Sequence, residues 1–306
     1  MSLPWALPLL LAMQARSAAV SPRPVAWAAQ SPRPAVCLSA PGLWEVSRQS
    51  VVLRRCRELS RAQALLLRAP DKARARAAAL LEQAPGWAEA RVLRGRASLR
   101  LGDTKAALAD LTPLLGEDAA TVADPSALLD GGRAALAEQD LARAAQFYRA
   151  LGSRAALLAD RAQQVVAYLE IAGALLATEA TPADDVQAFL REARQRSAGS
   201  GFTSLCAALT AVTWFAQGRD AEGQGALGEV TDVDALIGLE KSQDVRLAAG
   251  VFDAVLGLTL EHEHPELSAA HYQALAEGPL AKTALSKLVA HGRGRAASKP
   301  AKRGAR

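Results

Sequence analysis

Two consecutive stretches decide the fold: AEARVLRGRASLRLGDTKAALADLTPLLGEDAAT at Ala88–Thr121 and PSALLDGGRAALAEQDLARAAQFYRALGSRAALL at Pro125–Leu158. In both, apolar residues recur at spacings of three and four, which is the period of an amphipathic helix. A polar turn signal interrupts each run near its middle, and strand-like alternation is absent. Each stretch therefore predicts two helices joined by a short turn.

The two stretches also align with each other, small residue on small residue and turn on turn. The aligned pairs are Gly95 and Gly132, Gly102 and Gln139, Asp103 and Asp140, Ala107 and Ala144, Leu111 and Tyr148, and Leu114 and Leu151. Small residues recur where two helices would cross closely, because a large side chain there would force them apart. This self-similarity favours a stack of repeated hairpins over a simple bundle.

In this pattern the chain resembles the tetratricopeptide repeat family, whose 34-residue unit is a helix-turn-helix. The resemblance is clearest over 88–121 and 125–158, and it extends in degenerate form to Ala73–Pro85, to a unit starting at Ser204 and to His264–Leu275. It implies an α-solenoid of antiparallel helical hairpins, which we expect to span residues 43–291.

Composition supports an all-α chain. Of the 306 residues, half are apolar but only 4% are aromatic, so the core must consist mainly of Ala, Leu and Val. Such residues suit thin, closely packed helices better than a β-sandwich.

Three cysteines are too few for a disulfide-rich scaffold. Cys37 and Cys56 could pair in an exported protein, whereas Cys206 is expected to be a buried thiol.

The N-terminal residues read as flanking segments. Residues 1–19 resemble a secretory signal, with an apolar stretch at Leu3–Met13 followed by small residues; the alternatives are a disordered start and a misassigned start codon. Residues 20–42 contain a tandem Ser-Pro-Arg-Pro decapeptide, which indicates a semi-rigid linker or a proline-rich ligand.

Positive charge is concentrated at the two ends. The chain carries a net charge of +5, but residues 292–306 hold six Lys or Arg and no acid, and residues 1–60 hold seven against two. We interpret 292–306 as a disordered, solubilising tail; the alternative is weak contact with nucleic acid or an anionic surface. The tail has no aromatic residue for base stacking, which disfavours specific single-strand recognition.

The resemblance also implies a binding surface, since the family binds peptides in the concave groove lined by the first helix of each repeat. The candidate groove residues are Val92, Arg96, Leu99, Arg100, Leu129, Arg133 and Leu136. Arg96 and Arg133 would lie side by side, where two forked guanidinium groups could hold a carboxylate or an acidic segment. The alternative is that both arginines are simply solvated.

Two motifs invite other functions. His262, His264 and His271 could supply three metal ligands, although a surface cluster at a hairpin turn is the favoured interpretation. Gly223–Gly228 matches GxGxxG, but no strand precedes it, so a glycine-diluted helix is favoured over a dinucleotide site. No complete catalytic motif of the common hydrolase or nucleotide-binding types is present. The sequence predicts no cofactor and no enzymatic activity.

Together these features predict a non-catalytic scaffold that binds a protein or peptide in its groove, exported to the periplasm or envelope of a bacterium. The alternative is a cytoplasmic adaptor or regulator whose basic flanks contact nucleic acid or an anionic surface. A metal-binding protein is a remote alternative. The charge-free stretch Ser197–Gly218 has only about fifteen apolar residues, so no transmembrane helix is expected.

Overall fold

The computed structural model of the chain describes residues 50–116, 124–178 and 183–285, together with Leu288. Over these residues all regular structure is helical, which confirms the all-α prediction for this part of the chain. The proposed signal segment, the proline-rich linker and the basic tail lie outside the described residues, as do both ends of the predicted 43–291 region.

Thirteen α-helices follow one another within the described residues. They are α1 Ser50–Leu65, α2 Pro70–Gln83, α3 Ala88–Arg100, α4 Thr104–Leu111, α5 Pro125–Ala137, α6 Leu141–Gly152, α7 Arg161–Leu176, α8 Ala183–Arg196, α9 Ser200–Ala216, α10 Asp220–Leu227, α11 Val233–Ser242, α12 Val251–Thr259 and α13 Pro265–Glu277. Short 3₁₀ turns at Thr112–Leu115 and Ala155–Leu157 follow α4 and α6.

Packing follows chain order for most of the structure. Helices α1 to α9 each contact the next helix along the chain, α11 contacts α12, and α12 contacts α13. Short connections between neighbours produce antiparallel hairpins. The first helix of one hairpin also contacts the first helix of the next, as α3 does with α5 and α7 does with α9. The result is a helical, repeat-like architecture.

Aspartate starts five of these helices. The side chains of Asp103, Asp124, Asp140, Asp160 and Asp232 each accept a hydrogen bond from a backbone N–H in the first turn of the helix that follows. Helix α5 therefore begins at Pro125 with Asp124 as its cap. Helix α13 also begins at a proline, Pro265, but the preceding His264 makes no side-chain capping bond. Helix α8 begins at Ala183, while Thr181 and Pro182 lie outside the described residues.

Three turns share one backbone geometry. Gly102, Gln139 and Gly218 have φ values of 79°, 58° and 76°, in the left-handed region. In each case the next residue donates its backbone N–H to the carbonyl five residues earlier. This 6→1 bond is the hallmark of the Schellman motif that ends many helices. The first helices of three hairpins therefore end in the same way.

Glycines allow the two helices of a hairpin to approach closely. A Cβ added at Gly95 would lie 2.9 Å from Asp110 Cβ, and one at Gly132 would lie 2.6 Å from the Tyr148 ring. Gly257 faces the Tyr272 ring in the same way, at 2.9 Å. The prediction that small residues stand where two helices cross closely is confirmed at Gly95 and Gly132.

The buried apolar residues form two clusters. The smaller one joins α1, α2 and α3, whereas the larger one extends from α4 to Leu288. Helices α7 and α9 lie at the centre of the larger cluster and are buried along most of their length. Helix α9 covers most of the charge-free stretch. None of the helices in the described residues is long and apolar enough to span a membrane.

Candidate polypeptide-binding face

The candidate groove residues lie on two adjacent helices, α3 and α5, but they differ in exposure. Val92, Leu99 and Leu136 are half-buried against the core, and Arg100 is exposed. Leu129 is only 4% exposed and belongs to the core, so it does not line an open surface. We call the surface formed by Val92, Leu99, Arg100 and Leu136 the α3–α5 face.

Arg96 joins α3 to α5. Its Nε atom donates to Asp130 Oδ2 at 2.7 Å, and its Nη1 atom donates to Asp124 Oδ2 at 2.7 Å. The Arg96 and Asp130 side chains are 19% and 13% exposed. Because Asp124 also caps α5, Arg96 fixes the start of that helix against its neighbour.

Arg133 makes the corresponding contact one hairpin further along. Its Nε and Nη2 atoms donate to both oxygens of Glu170 on α7, at 2.7 to 3.1 Å. Glu170 is fully buried, and the Arg133 side chain is 22% exposed. Burial alone would lower the pKa of Arg133, but the hydrogen bonds and negative charge of Glu170 raise it above its ordinary value. The guanidinium is therefore permanently charged.

Both arginines therefore form ion pairs with carboxylates of the chain itself. Arg133 binds Glu170 as a bidentate fork, whereas Arg96 contacts two different carboxylates, those of Asp130 and Asp124. Internal acids thus occupy the place that the sequence analysis assigned to a ligand. The sequence analysis missed Asp130 and Glu170. Their spacing from Arg96 and Arg133, 34 and 37 residues, is close to one repeat and was the signal that could have found them.

Glu170 accepts hydrogen bonds from two further groups. The Tyr148 hydroxyl donates to its Oε2 at 3.0 Å, and the backbone N–H of Arg246 donates to its Oε1 at 3.0 Å. Burial, together with the charge of Glu170, raises the pKa of Tyr148 well above its ordinary value. Five hydrogen bonds thus satisfy one buried carboxylate and offset the cost of removing it from water.

The Arg246 contact belongs to a non-helical segment, residues 244–250, which connects α11 to α12. This segment lies against α7, 76 residues away in sequence from Glu170. Val245 and Ala248 are buried, and the Leu247 side chain occupies the space beside Gly173, where an added Cβ would approach it to 2.7 Å. The chain thereby covers the part of α7 beside Arg133.

A shallow pocket lies beside the start of α3. It has a volume of about 80 Å³, and its lining includes Arg91, Val92, Asp110 and Leu114. Asp110 is already bonded to Arg94 through both oxygens, at 2.6 and 2.8 Å. A pocket of this size accommodates one side chain rather than a cofactor.

The histidine cluster lies at the hairpin of α12 and α13, and the glycine run lies at α10. Nδ1 of His271 on α13 lies 2.9 Å from Asp253 Oδ1 on α12, while His262 and His264 are exposed in the turn between these helices. Among the described residues, no three His, Cys, Asp or Glu side chains are grouped closely enough to hold a metal ion. Gly223–Gly228 starts inside α10, where Gly223 packs on the Phe215 ring.

The cysteines differ in state. Cys206 is a free, buried thiol, as predicted, and burial raises its pKa to about 12. Cys56 is buried and disulfide-bonded. Cys37, the other member of the predicted pair, lies outside the described residues.

Comparison with known proteins adds no further assignment, since no family model, curated protein or solved structure matches the chain.

Proposed function

We propose that this protein is a non-catalytic, tetratricopeptide-like scaffold that binds a partner polypeptide on the α3–α5 face. The partner would lie across α3 and α5 in an extended conformation. Its apolar side chains would contact Val92, Leu99 and Leu136, which are only half-buried in the chain alone. Burial of such apolar surface would drive association.

One observation carries this proposal: a non-helical segment of the chain itself lies against α7, the first helix of the hairpin that follows α5 and α6. Residues 244–250 contact α7 through the apolar Leu247 side chain, which lies beside Gly173, and through the backbone N–H of Arg246, which donates to Glu170. Val245 and Ala248 of the same segment are buried. A bound peptide would use the same two kinds of contact on the α3–α5 face. This helical surface is therefore suited to an extended polypeptide.

The charges on this face bear on the partner's chemistry. Arg96 and Arg133 are engaged by Asp130 and Glu170, so neither is available to a ligand without breaking an internal ion pair. Arg100 is exposed, and no carboxylate of the described residues pairs with it. An acidic side chain or free carboxylate of the partner would therefore pair with Arg100.

For location we propose the periplasm or envelope of a bacterium. The cysteines of the sequence fit this location, because Cys37 and Cys56 could pair in an oxidising compartment, where disulfides persist. The signal-like segment at 1–19 supports it independently. N-terminal sequencing of the native mature protein, with cell fractionation, tests this part: a start near Val20 in the envelope fraction is expected, and an intact Met1 in the cytosol would contradict it.

Site-specific photo-crosslinking in the native cell tests the binding face. A photoreactive amino acid replaces Arg100, and in a matched control it replaces Arg149, an exposed arginine on α6. The expected result is a discrete adduct with a particular polypeptide from position 100 and none from position 149. Leu136→Asp, which places a charge on the same face, should remove that adduct while the protein remains helical by circular dichroism.

Two outcomes would contradict the proposed face. One is the same set of adducts from both positions, which would mean random collision. The other is an adduct from position 100 that persists unchanged in the Leu136→Asp variant, which would place the contact elsewhere.

A further inference from the structure

The first hairpin of the structure is strongly basic. Helices α1 and α2, with the turn between them, span residues 50–83 and contain eight Lys or Arg against three Asp or Glu. The resulting charge of +5 equals that of the whole chain. We call residues 50–83 the basic hairpin.

Arginines of the basic hairpin gather on one surface. Arg54, Arg57 and Arg61 lie on the exposed side of α1, away from the stripe of buried residues that faces the core. Glu58 lies among them but accepts hydrogen bonds from both Arg61 and Arg76, each at 2.6 Å. No carboxylate of the described residues pairs with Arg54 or Arg57. The surface therefore retains an excess of positive charge.

The last hairpin has the opposite charge. Helices α12 and α13 with their turn span residues 251–277, and they contain five Asp or Glu and no Lys or Arg. Glu263, Glu266 and Glu277 are exposed. The charge of this segment is −5, with histidine taken as neutral. We call residues 251–277 the acidic hairpin.

These two hairpins lie at opposite ends of the packing order. Helix α1 packs on α2 and α3, whereas α13 packs on α12. Of the five most exposed large apolar side chains in the described residues, three belong to these hairpins: Val51 and Leu67 on the basic one, and Leu267 on the acidic one. Each end therefore combines net charge with at least one exposed large apolar side chain.

We propose that the basic hairpin binds the acidic hairpin of a second copy of this chain, so that molecules associate head to tail. The two surfaces are complementary in charge, and their apolar side chains would add buried area at the contact. A head-to-tail contact joins two different surfaces, so each dimer leaves one basic and one acidic end exposed. Association then continues into longer linear assemblies rather than stopping at a dimer.

Sedimentation of the full chain at low and high salt tests the proposal. At low ionic strength, about 20 mM, the weight-average sedimentation coefficient should rise with protein concentration. At about 500 mM salt the apparent dissociation constant should increase at least about tenfold, because screening weakens attraction between exposed charges.

A charge exchange then identifies the surfaces. The first variant carries Arg54→Glu, Arg57→Glu and Arg61→Glu; the second carries acid-to-base changes at the other end, Glu263→Arg, Glu266→Arg and Glu277→Arg. Each variant alone has ends of like charge and should remain monomeric. An equimolar mixture should associate again, because each variant then supplies the surface that the other has lost.

A control variant separates local from overall charge. It carries Lys105→Glu, Arg149→Glu and Arg191→Glu, three exposed residues on other helices, and has the same change in net charge as the first variant. It should associate like the unmodified chain. Circular dichroism of every variant confirms that the helices are retained.

Several outcomes would overturn the proposal: a chain that stays monomeric at low salt, association by the first variant alone, or a mixture that fails to associate. If the second variant changes association and the first does not, the acidic hairpin binds another cationic segment, such as the chain's own basic tail. Binding of nucleic acid by the basic hairpin in a chain that never self-associates would assign that surface to a polyanion.

Discussion

The ion pair between Arg133 and Glu170 gives the sharpest prediction of stability. Arg133→Met removes the positive partner and leaves Glu170 as an uncompensated charge that is fully buried. Breaking a buried pair in this way costs about 3–5 kcal/mol. Because the Arg133 side chain is itself 22% exposed and water can partly reach it, we expect a value near the lower end, about 3 kcal/mol.

A second substitution isolates the cause. Glu170→Gln removes the charge but keeps an oxygen that can accept from Tyr148 or from the backbone of Arg246. In the Arg133→Met background it should therefore restore about 1–2 kcal/mol, because a neutral amide costs less to bury than an unpaired carboxylate. The double variant should be more stable than the single Arg133→Met variant.

Urea denaturation followed by far-ultraviolet circular dichroism measures these differences. Arg149→Met is the matched control, since Arg149 is exposed on α6 and its replacement should change the free energy of unfolding by less than about 0.5 kcal/mol. If Arg133→Met costs no more than this control, or if the double variant is less stable than Arg133→Met, the buried charge does not have the role described.

Three further predictions concern single sites. Gly132→Ala should cost about 1–3 kcal/mol in chemical denaturation, because its Cβ would meet the buried Tyr148 ring at 2.6 Å; a gain in stability, as helix propensity alone predicts, would show that the ring moves aside. Gln139→Gly should stabilise the protein by up to about 1 kcal/mol, since φ is 58° at this exposed turn, and an unchanged urea midpoint would mean that the turn carries no strain. The buried Cys206 thiol, whose pKa is raised from 9.0 to about 12, should make unfolding easier as pH rises through this window, because only the unfolded state loses the proton readily. Cys206→Ala should flatten that pH dependence of the urea midpoint, and an identical slope in both proteins would assign it to other groups.

The sequence by itself determined the local architecture. Apolar spacing, Gly102 and Gln139 at the turns, and aspartates at the helix starts all act over a few residues, so the pattern predicts where helices begin and end. The close helix crossing at Gly132 was equally accessible, because a glycine recurs at the same place in both stretches, as Gly95 and Gly132.

Only the tertiary structure decided which side chains meet between hairpins. Arg96 and Arg133 were correctly placed on the first helices of successive hairpins, but their partners Asp130 and Glu170 became visible only when those helices were stacked. The contact between residues 244–250 and α7 spans still more of the chain, and no local signal marks it. Such contacts depend on the angle and offset of many successive helix packings, which short-range patterns do not encode.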